Sequence, residues 1–79
     1  MWYTYILRSQ KDGRLYIGST NNLKRRFKEH NGGLVPSTRH RTPFILEAYV
    51  ATTTEEKARS LEKYFKIGSG NAFLKKRIL

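Results

Sequence analysis

The stretch that decides the fold runs Trp2-Tyr3-Thr4-Tyr5-Ile6-Leu7, then Lys11-Asp12-Gly13, then Leu15-Tyr16-Ile17-Gly18. Two aromatic and β-branched runs parted by Asp-Gly read as a β-hairpin, because Asp and Gly accept the backbone angles of a tight reversal. A two-residue loop at Asp12-Gly13 and a four-residue loop from Gln10 to Gly13 both pair odd-numbered residues with even-numbered ones. Either register therefore puts Tyr5 and Tyr16 on one face of the hairpin. In the four-residue-loop register they are diagonal neighbours, about 7 to 8 Å apart between strands.

Beyond the hairpin, Asn21-Asn22 offers an N-cap and Asn31-Gly32-Gly33 a stop, which brackets a helix. Leu23, Arg26, Phe27 and His30 share one stripe of it, while Lys24, Arg25 and Lys28 point elsewhere. Leu34 to Pro43 carries Arg39, His40 and Arg41 between two prolines and reads as a basic loop. Phe44 to Ala51 alternates Phe44, Leu46, Ala48 and Val50 against Ile45, Glu47, Tyr49 and Ala51, the pattern of a third strand. Thr53 with Glu56 forms a capping box that opens a second helix ending near Ile67-Gly68, with Ala58, Leu61, Glu62 and Phe65 as its stripe. A last short helix from Asn71 to Ile78 is expected to bury Phe73, Leu74 and Ile78. The order of elements predicts an α/β (α+β) sandwich, a three-stranded antiparallel sheet flanked by helices.

Composition limits the function. The chain has 79 residues, 16 Lys plus Arg against 6 Asp plus Glu, and a formal charge of +10. That length suits one domain, residues 1–79, and leaves no room for a separate targeting module. The apolar fraction of 38% is too high for a disordered basic tail. Without cysteine there is neither a disulfide framework nor a thiolate zinc site, and a cytoplasmic location is the expectation. No apolar run approaches the roughly 20 residues of a membrane span, and no signal-peptide pattern opens the chain. The basic excess favours a polyanionic partner. A membrane surface is set aside, because neither basic helix has a broad apolar face to spare for lipid.

Arg26, His30 and Glu62 are the physically odd residues, each polar on an inward stripe. Two readings stay open at this level. Arg26 and Glu62 form a semi-buried ion pair, or they belong to a phosphodiester site, where the guanidinium fork matches phosphate oxygens and the carboxylate is a hard ligand for Mg²⁺. Tyr5 and Tyr16 are packing residues or reactants. A phenol with a pKa near 10 needs a neighbouring cation to act as a base at neutral pH. His30 lies one turn from Arg26, so the two side chains are neighbours whichever reading holds.

These residues together resemble the GIY-YIG nuclease family, in particular its small stand-alone members, over almost the whole chain. Tyr3-Thr4-Tyr5 stands where the first motif falls, with Tyr5 as its tyrosine, and Tyr16-Ile17-Gly18 is the second motif intact. Arg26 and His30 match the arginine and histidine of the helix that follows. Ala58-Arg59-Ser60-Leu61-Glu62 is similar to the segment with the metal-binding glutamate, Glu62. Tyr3 and Thr4 depart from the Gly and Ile of the first motif, a change in packing rather than in reactants. Asn71 matches a late phosphate-binding asparagine or caps the last helix, and His40 stands in for a second site histidine or belongs to a loop that touches the nucleic-acid backbone.

The resemblance implies metal-assisted phosphodiester hydrolysis. Glu62 would hold one divalent ion, Mg²⁺ ahead of Mn²⁺, Arg26 would bind the developing charge, and Tyr16 with Tyr5 would position or deprotonate the attacking water. His30 would assist proton transfer or orient a tyrosine, and Gly18 would let the backbone approach closely. Lys24, Arg25, Lys28, Arg39 and Arg41 supply a surface for phosphates, with DNA expected ahead of RNA and a partner protein as one source of targeting. The alternatives are a nucleic-acid-binding module without catalysis and a basic structural protein of a ribonucleoprotein.

Overall fold

The computed structural model describes residues 1–79. Strands β1 (Trp2–Ser9) and β2 (Leu15–Thr20) form the hairpin, with Tyr5 opposite Gly18 and Leu7 opposite Tyr16. This is the four-residue-loop register. Gly13 takes φ +73°, and Asp12 accepts the Arg14 amide at 2.9 Å across the turn. Helix α1 (Leu23–Asn31) follows, then a single 3₁₀ turn at Arg39–Arg41, strand β3 (Phe44–Thr52), helix α2 (Glu55–Lys66) and helix α3 (Gly68–Phe73), which widens into a π-type turn over Leu74–Ile78.

The sheet order β2-β1-β3 makes β1 the central strand, antiparallel to both neighbours, and leaves β2 and β3 as edges. Helices cover both faces. Ile6 and Ile17 pack with Phe65 and Leu74 beneath α2 and the C-terminal turns, while Tyr5, Leu7 and Phe44 pack with Leu23 and Phe27 of α1 on the other side. Thr4 fixes α2 to the sheet, its hydroxyl donating to the Ala58 carbonyl at 2.7 Å, and both residues are fully buried. Glu62 lies on the α2 side and Tyr5 on the α1 side. Residues from opposite faces can meet only around an edge of the sheet, and at the β2 edge Tyr16 packs against His30 of α1 while Ser19 bonds Glu62 of α2.

Several expectations are corrected in detail. Strand β3 does not keep one apolar face. A bulge between the pairs Ile6–Ala48 and Leu7–Leu46 inserts Glu47, so Phe44 and Leu46 face α1 while Ala48 and Val50 face α2. The N-cap of α2 is Thr54, whose hydroxyl accepts the Lys57 amide at 3.2 Å, one residue later than the Thr53–Glu56 pattern suggests. Asn71 is inside α3 rather than at its start. Of the three apolar residues expected to be buried at the C-terminus only Leu74 is, and Phe73 and Ile78 are exposed.

The basic segment after α1 is ordered by tethers at both ends. Asn31 clamps α1 to β3, its amide donating to the Phe44 carbonyl at 3.1 Å and its oxygen accepting the Phe44 amide at 2.6 Å. Arg41 donates to Asp12 at 2.9 Å, reaches the Leu15 carbonyl at 3.4 Å and lies over the Phe44 ring. That guanidinium holds the Asp12 carboxyl down at about 2. Buried Val35 and Thr38 complete the anchoring.

Candidate active site

The site is built on a phenol and an imidazole. Tyr5, on the central strand, is 2% exposed, and its hydroxyl lies 2.9 Å from Nε2 of His30, which is fully buried on α1. Gly18 makes room for this. A Cβ there would stand 2.5 Å from the Tyr5 hydroxyl oxygen and 2.6 Å from Cζ, so only glycine lets the ring lie across β2. The close approach expected at Gly18 is therefore made by Tyr5. Tyr16 adds a second ring, its centroid 5.0 Å from that of His30 and 6.4 Å from that of Tyr5.

Thr38 holds the other nitrogen of His30, with its hydroxyl 2.8 Å from Nδ1. The same hydroxyl reaches the Val35 carbonyl at 3.5 Å. A Thr38 hydroxyl that donates to Val35 leaves its oxygen to accept from Nδ1–H, which makes Nε2 the acceptor for the Tyr5 hydroxyl. This tautomer follows from the hydrogen-bond network.

The electrostatics match that arrangement. Burial pushes the Tyr5 phenol up to about 12; the Tyr16 phenol and Glu62 carboxylate add to the effect, while Arg26 beside it opposes the rise. Tyr5 is thus neutral at pH 7. Burial, and then the Arg26 cation, lower His30 to about 4, so the imidazole is neutral at pH 7. For Arg26, burial works against the charge, but the Tyr5 phenol and Glu29 carboxylate outweigh it and push the pKa up. Arg26 donates to Glu29 at 3.2 Å and keeps about a third of its side chain exposed. It does not pair with Glu62.

Glu62 reaches the β2 edge from the opposite face. Its Oε1 accepts from Ser19 at 2.5 Å and its Oε2 from Lys66 at 2.7 Å. Burial raises the carboxyl, but the hydrogen bonds from Lys66 and Ser19 prevail and leave it below its ordinary value. Neither Thr38 nor Ser19 stands out in the sequence. Thr38 lies in a stretch between two prolines with no periodicity, and Ser19 is one hydroxyl at the end of a strand.

Other residues singled out from the sequence lie in varied settings. Lys24, Arg25, Lys28, Arg39 and His40 are exposed, with Arg39 donating to the His40 ring at 3.4 Å. Arg41 is taken up by Asp12 and Leu15, so its fork is committed within the fold. Asn71 donates to the Phe65 carbonyl at 3.2 Å and ties α3 to the end of α2; it lies inside α3 and does not cap it.

A sequence profile described as the GIY-YIG catalytic domain matches residues 1–76. The chain belongs to the GIY-YIG family. This is a nuclease family, and membership implies nucleic-acid binding. The chain is 43% identical to a UPF0213 protein of Bacillus licheniformis over 81% of its own length and 66% of the relative's, and 43% identical to one of Clostridium perfringens over 84% and 71%. It spans about two thirds of the length of these relatives. The solution NMR structure of a UPF0213 protein from Bacillus halodurans superposes with a TM-score of 0.60 at 32% identity, covering 99% of this chain and 87% of that one. No helix of the GIY-YIG fold here is long and apolar enough to cross a membrane.

Protonation of His30 links the site to stability. The unfolded imidazole titrates near 6.5 and the folded one near 4, so between these values the unfolded chain binds a proton that the folded chain refuses. This contribution is complete above pH 6.5 and is lost as the pH falls towards 4, for a total of about 3 kcal/mol. Urea midpoints across that window should fall steeply for the wild-type domain and much less for His30→Gln. Parallel curves would refute the buried neutral imidazole.

Proposed function

We propose that this GIY-YIG domain is a metal-dependent endonuclease that hydrolyses phosphodiester bonds in DNA, structured or single-stranded. The observation that carries the reading is the convergence of a partly exposed guanidinium, Arg26, on a buried phenol–imidazole pair, with Tyr16 at its side. A structural ion pair would have consumed Arg26 and Glu62 together, and each has other partners.

The residues fit a hard divalent cation. Glu62 is ionised, oriented by the Ser19 hydroxyl, and keeps about a quarter of its side chain exposed. Mg²⁺ takes only one or two carboxylates from a protein and retains water or phosphate oxygens elsewhere, so one glutamate suffices. Lys66, half exposed on a long stem, is the group that would yield Oε2. Glu62 would hold the ion, which when bound supplies charge neutralisation at the scissile phosphate.

The chain's own residues carry the rest. Arg26 binds the phosphate and stabilises the charge that grows on its oxygens. Tyr5 donates its proton to Nε2 of His30, which turns the phenol oxygen's lone pairs towards an attacking water. As the water oxygen bonds to phosphorus and the P–O bond to the leaving oxygen breaks, the water's proton moves to the Tyr5 oxygen and the Tyr5 proton to Nε2. His30, a weak base in this setting, returns it through Tyr5 as solvent protonates the leaving oxygen. Arg26 favours the transient phenolate character, while Thr38 keeps Nδ1–H directed away from the phenol. Tyr16 walls the same space and orients the water.

Labelled single-stranded, branched and duplex DNA, incubated with Mg²⁺ or Mn²⁺ and separately with chelator, tests the reading. Cleavage confined to the metal-containing samples is expected. Salt-sensitive binding of every substrate with no cleavage under any condition would hand the domain to the second reading, a non-catalytic nucleic-acid-binding module. That both Glu62 oxygens already have partners is the observation in its favour.

A further inference from the structure

On the α1 face of the sheet, next to Tyr5, lies an open cavity of about 510 Å³ walled by Tyr3, Leu46 and Tyr49 of the sheet and by Leu23 and Phe27 of α1. We propose that it is a nucleobase subsite, in which an unpaired base flanking the phosphate at Arg26 packs against Tyr49 and Tyr3. The proposal rests on the nuclease reading and names its substrate class: strands with bases free of pairing.

The residues of the cavity are neighbours of those of the candidate active site. Tyr49 is the cross-strand partner of Tyr5, and Tyr3 is two residues from Tyr5 along β1, on the same face and about 7 Å away. Leu23 and Phe27 share their stripe of α1 with Arg26 and His30, so a strand held at Arg26 runs beside this opening. A volume of this size falls within the roughly 300 to 1,000 Å³ of small-ligand pockets.

Its chemistry suits a nucleotide. Tyr49 is 53% exposed and meets Tyr3 edge-on, with ring centroids 5.9 Å apart, so the fold leaves an aromatic face uncovered. The rim holds Lys24 together with Asn21 and Asn22, and no acidic residue lines the cavity. Asn22 spends its side-chain oxygen on the Arg25 amide as the cap of α1, and its NH₂ group remains to donate to a base edge. A cationic, amide-bearing rim around an aromatic wall complements an anionic strand that carries π-faced bases. A base still paired within a duplex stays stacked on its neighbours and cannot enter.

Fluorescence anisotropy in EDTA, where no hydrolysis occurs, tests this with two labelled strands of equal length, oligothymidylate and an abasic deoxyribose-phosphate chain. The wild-type domain should bind oligothymidylate at least about fivefold more tightly. Tyr49→Ala should abolish that preference and leave abasic affinity unchanged, and Tyr49→Phe should retain it. Equal wild-type affinity for the two strands, equal weakening of both by Tyr49→Ala, or failure to bind either strand would overturn the proposal. The two readings fail separately: a domain that prefers bases but never cuts keeps the subsite and loses the nuclease activity, while one that cuts without preferring bases loses the subsite alone.

Discussion

Replacing Arg26 with alanine is expected to lower the single-turnover rate of DNA hydrolysis on the order of 10²- to 10³-fold, the usual cost of removing one preorganised donor from a developing oxyanion. The thermal midpoint should move little. The Arg26–Glu29 contact at 3.2 Å joins two side chains that are each about a third exposed, and such pairs contribute at most about 1 kcal/mol. Arg26→Lys should recover only part of the rate, since a point charge cannot replace a fork that spans two phosphate oxygens. Glu62→Gln should cause a loss of similar size and weaken the response to Mg²⁺, because the amide keeps the contact with Ser19 and removes the charge. Rates within about fivefold of wild type for both Arg26→Ala and Glu62→Gln would remove these residues from the chemistry.

The alanine variant also separates electrostatics from packing. Arg26 acts on two neighbours, opposing the rise of the Tyr5 phenol and adding to the fall of His30. Its removal should therefore make Tyr5 a weaker acid and His30 a stronger base. Any cleavage that remains should keep the Tyr5–His30 hydrogen bond, which depends on burial and on Gly18 rather than on the cation.

The relation between sequence and site explains which parts were legible. Parity along a hairpin is a local property, so the shared face of Tyr5 and Tyr16 follows from the loop between them. Helical spacing likewise aligns Arg26 with His30. Contacts between distant segments have no such pattern: Thr38 beneath His30, Ser19 on Glu62 and Arg41 on Asp12 are pairings of side chains that only the tertiary fold brings together. The bulge at Glu47 shows the limit of periodicity. The alternation in β3 is unbroken in the sequence, yet the extra residue changes its parity midway and divides four apolar side chains between two faces.

Gly70 is the other position whose role no local pattern reveals, and Gly70→Ala carries the largest expected effect on folding. Ile67-Gly68 reads as the end of the second helix, but Gly70 is buried inside α3, where a Cβ would run into the Tyr64 carbonyl of α2. The obstacle is backbone, so no rotamer change relieves it, and α3 would have to separate from the last turn of α2. Leu74, fully buried against Ile6, Ile17 and Phe65, would be drawn away with it. Overpacking of this kind costs about 3 kcal/mol, well above the roughly 1 kcal/mol that alanine gains over glycine in a helix. A domain of this length is stable by only about 4 to 12 kcal/mol, so the thermal midpoint should drop on the order of 15 °C. Gly68→Ala is the matched control. Nothing lies within 4 Å of a Cβ built there, and that variant should stay within about 0.5 kcal/mol of wild type. Equal melting of the two variants would show that α3 does not sit against the Tyr64 carbonyl. A selective loss in Gly70→Ala would establish that the α2–α3 junction, remote from Tyr5 and His30, closes the core on which β1 and β2 hold the site.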